Sequence, residues 1–495
     1  MIKTVVIIMG LSIATKLLGF IRETVLAYFY GASNISDAFL ISLTIPDTLF
    51  EFIGIGLVTS FIPIYCDIKK GAKSGMRNYY MNNVTNFLLL LCTSITILVW
   101  AFTPQIVRIF AYGFTEETLA LGVNFTRITV LGIFFRGVTY IFKGHLQIYN
   151  NYIVPELVGV FFSLVMILSI VFSHQYCITI LAIGFVLAKT VEFIFVIPFA
   201  YKRGYKVFLN LHDENLKRMI YLALPGIMGI SIDQLNTLID RTIASKISVG
   251  GISALNYAFM LDMFIIGVFV LPIATVLYPK ISKMAADGNI KGFKKVLANA
   301  INSISLLVIP ATIGAVIFAE PIVKLLFGRG AFDGQAVSMT YNALIFYSVG
   351  MIGFGLREIF SRAFYSMQDT KTPMINAAIA MAMNIILNII LSKYMGIGGL
   401  ALATSISAIF CMLLLLISLR KKIGPFEIGK ISITFLKILY ASLIMGIIAK
   451  FSFKYLTTAL GESLSLAAAV GIGAVNYFSI IYLMKIYKFE PLRGE

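Results

Sequence analysis

Long apolar runs separated by short polar stretches fill the chain from end to end. About 20 apolar residues suffice to cross the hydrocarbon core of a bilayer as a helix. On that ruler the pattern predicts about fourteen transmembrane helices. They are Val5–Tyr30, Asp37–Tyr65, Tyr80–Phe102, Leu119–Phe142, Tyr152–Phe172, Tyr176–Tyr201, Met219–Ser245, Ala254–Tyr278, Val296–Phe318, Ala336–Tyr365, Thr372–Leu391, Gly398–Leu419, Ile433–Phe451 and Leu464–Lys485. The polar stretches alternate in charge. Basic residues gather after the second span (Lys69, Lys70, Lys73, Arg77), the sixth (Lys202, Arg203, Lys206, Lys217, Arg218) and the eighth (Lys280, Lys283, Lys291, Lys294, Lys295). They gather again after the twelfth (Arg420, Lys421, Lys422, Lys430) and the last (Lys485, Lys488, Arg493). The intervening stretches hold few: Arg108 beside Glu116 and Glu117, Lys246, Lys324 and Arg329, Lys393, Lys454. The positive-inside rule then puts the basic loops and both termini in the cytoplasm. A wrong span count would scramble this alternation.

Composition agrees with an all-α polytopic membrane protein. Of 495 residues, 59% are hydrophobic and 13% charged, about half the charge of a soluble domain. Hydrophobicity begins at Val5 and no small-residue cleavage site precedes Gly19, so the first run reads as a retained span. The net charge of +17 reads as topogenic loop charge, because no basic-aromatic RNA module is visible; no nucleic-acid partner is expected. Cys66, Cys92, Cys177 and Cys411 are scattered, and His145, His174 and His212 are isolated. No metal-like spacing, disulfide framework or nucleophile with its base emerges, so no enzymatic chemistry is expected. Without a soluble partner domain or long charged tail a scaffold role has no support, and the chain is expected to act as a monomer.

The chain repeats itself. With Arg22 over Arg241, Gly31 falls over Gly250 and Asp37 over Asn256. Further on, Thr59 to Pro63 matches Thr275 to Pro279, Ile106-Val-Arg108 matches Ile322-Val-Lys324, and Pro155 matches Pro373. The offset stays at 216 to 219 residues. The expected organisation is therefore an N-lobe of six spans (1–205), a C-lobe of six (206–425) and two further helices (426–495). Six spans return the chain to its starting side, so the lobes are parallel and related by a pseudo-two-fold axis along the membrane normal. That symmetry places a cavity between lobes and predicts alternating access.

Ionisable residues inside spans are costly and usually face a wet cavity or an ion path. Lys16, Arg22 and Glu23 share the first span. Asp47 and Glu51 in the second are four apart, on one helical face, and are read as cavity-lining. Asp37 reads as a helix cap near the interface. Asp233, Asn236 and Asp240 form one stripe of the seventh span. Oxygens on a stripe suit a hard cation or a proton, or Asp240 is neutralised locally by Arg241 or Lys246. Asn384 and Asn388 share a face of the eleventh span and Thr404 follows in the twelfth; interhelical hydrogen bonding and a Na⁺ site both fit. Arg357, Glu358 and Arg362 lie late in the tenth span, where long cations snorkel.

Four motifs carry a resemblance: Leu18-Gly-Phe-Ile-Arg22-Glu23, Ser36-Asp-Ala-Phe39, Phe327-Gly-Arg-Gly-Ala-Phe-Asp333 and Ser366-Met-Gln-Asp-Thr-Lys-Thr-Pro373. Together with the span count they resemble the MurJ/MviN lipid II flippase family of the MOP transporter superfamily. The resemblance implies transport of lipid II, a polyprenyl-pyrophosphate-linked peptidoglycan precursor, across the bacterial cytoplasmic membrane by alternating access. The partners it implies are that lipid-linked anionic glycan and membrane lipids, with a tail groove at the C-terminal helices. It also implies substrate-binding roles for Arg22 and Asp37, and for Lys16, where the family usually has arginine. Glu51 and Arg241 join them as candidate cavity residues. It implies a Na⁺ site at Asp240, Asn384, Asn388 and Thr404, with Asn388 replacing a carboxylate and Na⁺ as coupling ion. Two departures stand out: Met260 where the family has an arginine, and Phe50-Glu51 where it carries basic residues. They leave the cavity less cationic than the family pattern, which keeps open a flippase for another polyprenyl-linked oligosaccharide, of exopolysaccharide or teichoic type. The acidic Asp47, Glu51 and Asp233 keep a multidrug cation antiporter of the same superfamily as a further alternative.

Overall fold

The computed structural model describes residues 2–71, 74–200, 205–425 and 428–484. The side chain of Asp233 and the basic residues Lys70, Lys73, Lys202, Arg203, Lys485, Lys488 and Arg493 lie outside what is described. Among the described residues every regular element is a helix. α1 (Ile2–Tyr30), α2 (Asn34–Gly71) and α3 (Ser74–Ala101) carry the first three expected spans. A short helix, α4 (Thr103–Phe110), precedes the fourth, which is split into α5 (Glu116–Thr129) and α6 (Gly132–Ile148) with a bend of 42° between them. α7 (Ile153–Gln175), α8 (Ile180–Ala200) and α9 (Glu214–Ile247) follow. The eighth expected span is α10 (Gly251–Ile265), a π-helical turn (Ile266–Val270) and α11 (Leu271–Ala286).

α12 (Ile290–Ile317), the short α13 (Ala319–Leu326) and α14 (Gly334–Ser366) come next. α15 (Lys371–Ile423) holds the eleventh and twelfth expected spans, joined where Gly396 adopts φ 56°, a conformation open to glycine. α16 (Ile428–Leu460) and α17 (Glu462–Leu483) end the fold. By length and composition, nine helices among the described residues can cross a membrane, or ten with the bent α5–α6 pair.

The internal repeat is visible in the backbone. α4 and α13 have the same length, and the phenylalanines before them, Phe102 and Phe318, share φ near −109° and −106°. The turns that precede Pro155 and Pro373 share their backbone hydrogen bonds. Asn150 and Gln368 are the non-glycine residues with positive φ, 59° and 58°, among those described. Asn151 N–H donates to the Leu146 carbonyl at 3.0 Å, and Asp369 N–H to the Phe364 carbonyl at 3.0 Å. Each next presents its side-chain oxygen to the first turn of a helix, at Val154 N–H (3.4 Å) and Thr372 N–H (3.0 Å).

The chain divides into two compact units, Met1–Ser253 with Arg329–Asp333, and Ala254–Gly328 with Gly334–Glu495. The first has a core that includes Phe61, Tyr65, Tyr80, Ile141, Val158, Val196 and Met219. The second is centred on Val270, Leu297, Ile304, Val308, Met351 and Phe360. α16 and α17 place Ile438, Met445 and Tyr477 in a separate cluster with Ile309 of α12, and Tyr477 Oη donates to the Leu306 carbonyl at 2.7 Å.

These units differ from the repeat boundary at 205/206. The repeat makes α9 the first helix of the second lobe, whereas packing groups it with the first unit. Its polar side chains give the reason: Arg241 donates to the Leu40 carbonyl at 3.2 Å, and Thr242 donates to the Ile109 and Phe110 carbonyls at 3.1 Å. The glycine-rich turn also joins the first unit, through Ala331 N–H and the Tyr28 carbonyl at 2.8 Å. Gly330 (φ 65°) and Gly31 (φ 60°) make that approach feasible, because a Cβ on either would strike backbone atoms of the opposite segment.

Candidate functional site

The first unit contains a cavity of about 170 Å³ between α1, α2, α6, α7 and α8. Its charged lining is Arg22, Glu23, Asp47, Arg136 and Lys189, set among Leu26, Leu40, Leu43, Phe162, Met166, Ile170 and Phe185. Three cations face two carboxylates within a largely apolar wall.

Each cation has a carboxylate partner. Arg22 Nη2 lies 2.7 Å from Glu23 Oε1, and its guanidinium carbon is 5.4 Å from the Phe162 ring centre. Arg136, only 11% exposed, bridges the two carboxylates of α2: it bonds Asp47, and its Nη2 reaches Glu51 Oε1 at 2.9 Å. The i,i+4 spacing of Asp47 and Glu51 thus builds a two-pronged acceptor for one planar guanidinium. Gln234 of α9 donates to the other Glu51 oxygen. Lys189 pairs with Glu192 at 2.9 Å and stands 4.0 Å above the Phe162 ring centre. Phe162 therefore lies beside both Arg22 and Lys189, where its ring face favours cations.

The other expected residues fall in several places. Lys16 is exposed on α1, outside the cavity lining. Glu51 stands one turn beyond Asp47 as the second anchor of Arg136. Arg241 binds Thr44 and the Leu40 carbonyl on α2, next to Asp240 on α9. Asp37 is buried and fully engaged. Its oxygens accept from Gly250 N–H at 2.9 Å, Ser253 N–H at 2.8 Å and Ser253 Oγ at 2.5 Å. These are the unpaired donors at the start of α10, so Asp37 caps a helix other than its own.

In the second unit Asn388 donates to Asn384 Oδ1 at 2.7 Å, and Asn384 donates toward Thr404 at 3.4 Å. The trio is a chain of neutral groups bonded to one another, whereas Asp240 belongs to the first unit. Among the described residues no cluster of three His, Cys, Asp or Glu side chains forms a metal site.

Arg136 and Lys189 complete the cavity but are missed by a reading centred on the first, second and seventh spans. The signal for them is the same: an ionisable residue within an apolar span. Phe50, where the family pattern has a basic residue, supplies a ring 5.4 Å from Arg136.

A family model described as "Lipid II flippase MurJ" matches residues 26–470. The chain is 27% identical to a probable lipid II flippase MurJ of Vibrio cholerae over 98% of this chain and 96% of that protein. It is 26% identical to a lipid II flippase MurJ of Burkholderia cenocepacia, covering 85% and 84%. Among solved structures, lipid II flippase MurJ in an inward closed conformation matches with a TM-score of 0.85 at 27% identity, over 97% of this chain and 98% of that one. An inward-facing multidrug resistance MATE family transporter of the MOP superfamily matches with a TM-score of 0.69 at 16% identity, covering 85% and 98%; that likeness shows the fold alone.

Proposed function

The chain belongs to the lipid II flippase MurJ family, and from that premise we propose that it moves lipid II across the bacterial cytoplasmic membrane by alternating access. The observation that carries the chemistry is the cavity in which Arg22, Arg136 and Lys189 converge. At about 170 Å³ it is smaller than the roughly 300–1,000 Å³ of a drug-sized site. It suits one charged group, such as the pyrophosphate, while the sugar-peptide portion needs space elsewhere. The internal ion pairs explain how buried cations persist without substrate. Pyrophosphate oxygens replace carboxylate oxygens on Arg22, Arg136 or Lys189, exchanging one charge-assisted bond for another. No step leaves a guanidinium bare in a low-dielectric wall.

The basic loops support cytoplasmic termini. The transporter acts as a monomer on a lipid-linked anionic glycan, without covalent chemistry and without a nucleic-acid partner. Na⁺ is proposed as the coupling ion, with Asn384, Asn388 and Thr404 as its candidate ligands in the second unit. Expression in cells depleted of their own MurJ is the direct test. Restored growth and lipid II translocation are expected, and slower translocation when Na⁺ is replaced. Absence of translocation despite folded protein in the membrane overturns the substrate assignment; rates indifferent to Na⁺ overturn the Na⁺ site.

A further inference from the structure

Asp262 lies in α10, in the second unit, and is not among the residues that line the cavity of Arg22. It is 0% exposed. Neither carboxylate oxygen has a hydrogen-bond partner among the described residues. Apart from Tyr257, α10 carries no other titratable side chain. Around it, Phe259 packs on Tyr347 and Phe354 of α14, and the following π-helical turn packs between α12 and α14, with Val270 facing Gly355 and Ile304. The ionisable groups on these neighbours are engaged elsewhere or lie at helix ends. On α14, Arg362 pairs with Glu358 at 2.8 Å, and Arg357 makes no hydrogen bond to either Asp262 oxygen. Lys291, Lys294 and Lys295 sit in the first turns of α12. On α11, Lys280 and Lys283 begin eighteen residues beyond Asp262.

A bare carboxylate in such a place forfeits its hydration with no compensating charge or donor. The neutral acid is the form that this packing tolerates. Ionisable groups held inside a membrane span at such cost are functional by default.

A second feature lies one turn further on. The helix widens over Ile266–Val270, where Leu271 N–H bonds the Ile266 carbonyl, five residues back. Pro272 follows, has no N–H to return to the preceding turn and crowds the carbonyl four residues before it. π-Helical turns of this kind mark functional sites and places where helices bend. Here one immediately follows the buried acid.

We propose that Asp262 is a proton-binding site coupled to transport. It holds a proton while its helix face is packed as observed, and releases it to water when movement at the π-helical turn opens that face. The balance is one proton taken from water onto the carboxylate as the face closes, and the same proton returned as it opens. The coupling rests on the transport function proposed above; the protonation does not.

The experiment therefore has arms that need no lipid II. Purified full-length protein in nanodiscs is stepped from alkaline to mildly acidic pH, and the infrared band of protonated carboxyl groups is followed. An acid band that vanishes in Asp262→Asn is expected; no band lost on that substitution overturns the proposal. A second arm uses the unaltered protein, so it holds even if the variant fails to fold. Dicyclohexylcarbodiimide, which reacts with protonated carboxyl groups in apolar settings, is expected to label Asp262, with labelling falling as pH rises. No labelling at any pH means that the face never opens, and the proposal fails. In proteoliposomes, translocation by Asp262→Asn is expected to lose the pH dependence of the parent. An unchanged pH profile refutes coupling while leaving the substrate assignment intact.

Discussion

The two halves of the chain agree where backbone is set and part company where charge is buried. The turns before Pro155 and Pro373 reproduce the same positive φ and the same bonds. Yet Arg22 and Arg241, which the repeat superimposes, have different surroundings. Arg22 lines a cavity beside Phe162 and Glu23; Arg241 fastens α9 to α2 through Thr44 and the Leu40 carbonyl. Asp37 caps α10, whereas its counterpart Asn256 carries no charge. A repeat fixes turns and helix lengths because these depend on local sequence. The role of a buried charge depends on neighbours brought from distant segments, and there the halves have diverged.

Replacing each arginine is the sharpest way to break that contrast. Arg22→Ala removes a cation from the cavity. Losing a charge-assisted contact to an anion costs about 3 kcal/mol, so translocation is expected to fall about 100-fold with membrane expression unchanged. Arg22→Lys keeps the charge but loses the planar fork and retains part of the activity. Arg241→Ala loses hydrogen bonds from a charged donor, about 2 kcal/mol, and should lower thermal stability more than translocation. Equal translocation losses at equal expression would mean that the two arginines share one role. Both are measured by lipid II translocation and a melting curve on the same preparations.

Arg136 separates packing from function within one unit. Its removal as Arg136→Leu leaves Asp47 and Glu51 facing each other without a cation, at about 3 kcal/mol of stability. Adding Asp47→Asn and Glu51→Gln removes the uncompensated charge and should restore most of that stability. Translocation should stay low in the triple variant, because the cation remains absent. Recovery of both would reduce Arg136 to a packing residue.

Much of this was legible in the amino-acid sequence, for identifiable reasons. The expected spans fall on helical stretches of the described residues because apolar length is a local signal, although nine or ten helices there are long and apolar enough to cross a membrane; Pro155 and Pro373 mark helix starts because proline fits the first turn. Asp47 and Glu51 share a face because helical periodicity requires it. The grouping of α9 with the first unit was not legible, since it depends on bonds from Arg241 and Thr242 to segments more than a hundred residues away. Arg136 and Lys189 carried the same signal as Arg22, but partners such as Phe162 and Glu51 appear only after folding. Asp262 lies two residues beyond Met260, where attention goes to a missing cation rather than to an added acid.

The matched turns offer the finest comparison, with the smallest effect. Where the first has Asn151, the second has Asp369, whose carboxylate also receives Lys422 Nζ at 2.5 Å. Burial pushes this carboxyl up, but the bonds from Lys422 and Thr372 outweigh it and hold it below the ordinary carboxylate range. With the folded-state value depressed, the contribution to stability is complete above the unfolded value, about 3.9. It is lost as pH falls through the folded value. Asp369→Asn copies the first turn into the second. It keeps an oxygen for Thr372 N–H and gives up the ion pair, a change below about 1 kcal/mol for a bridge with one exposed partner. Melting curves of the parent should converge on those of Asp369→Asn as the solution is acidified, and separate from them near neutrality. A gap that stays constant down to strongly acidic pH would show that the second turn draws nothing from its charge, and that the two turns are equivalent in energy as well as in shape.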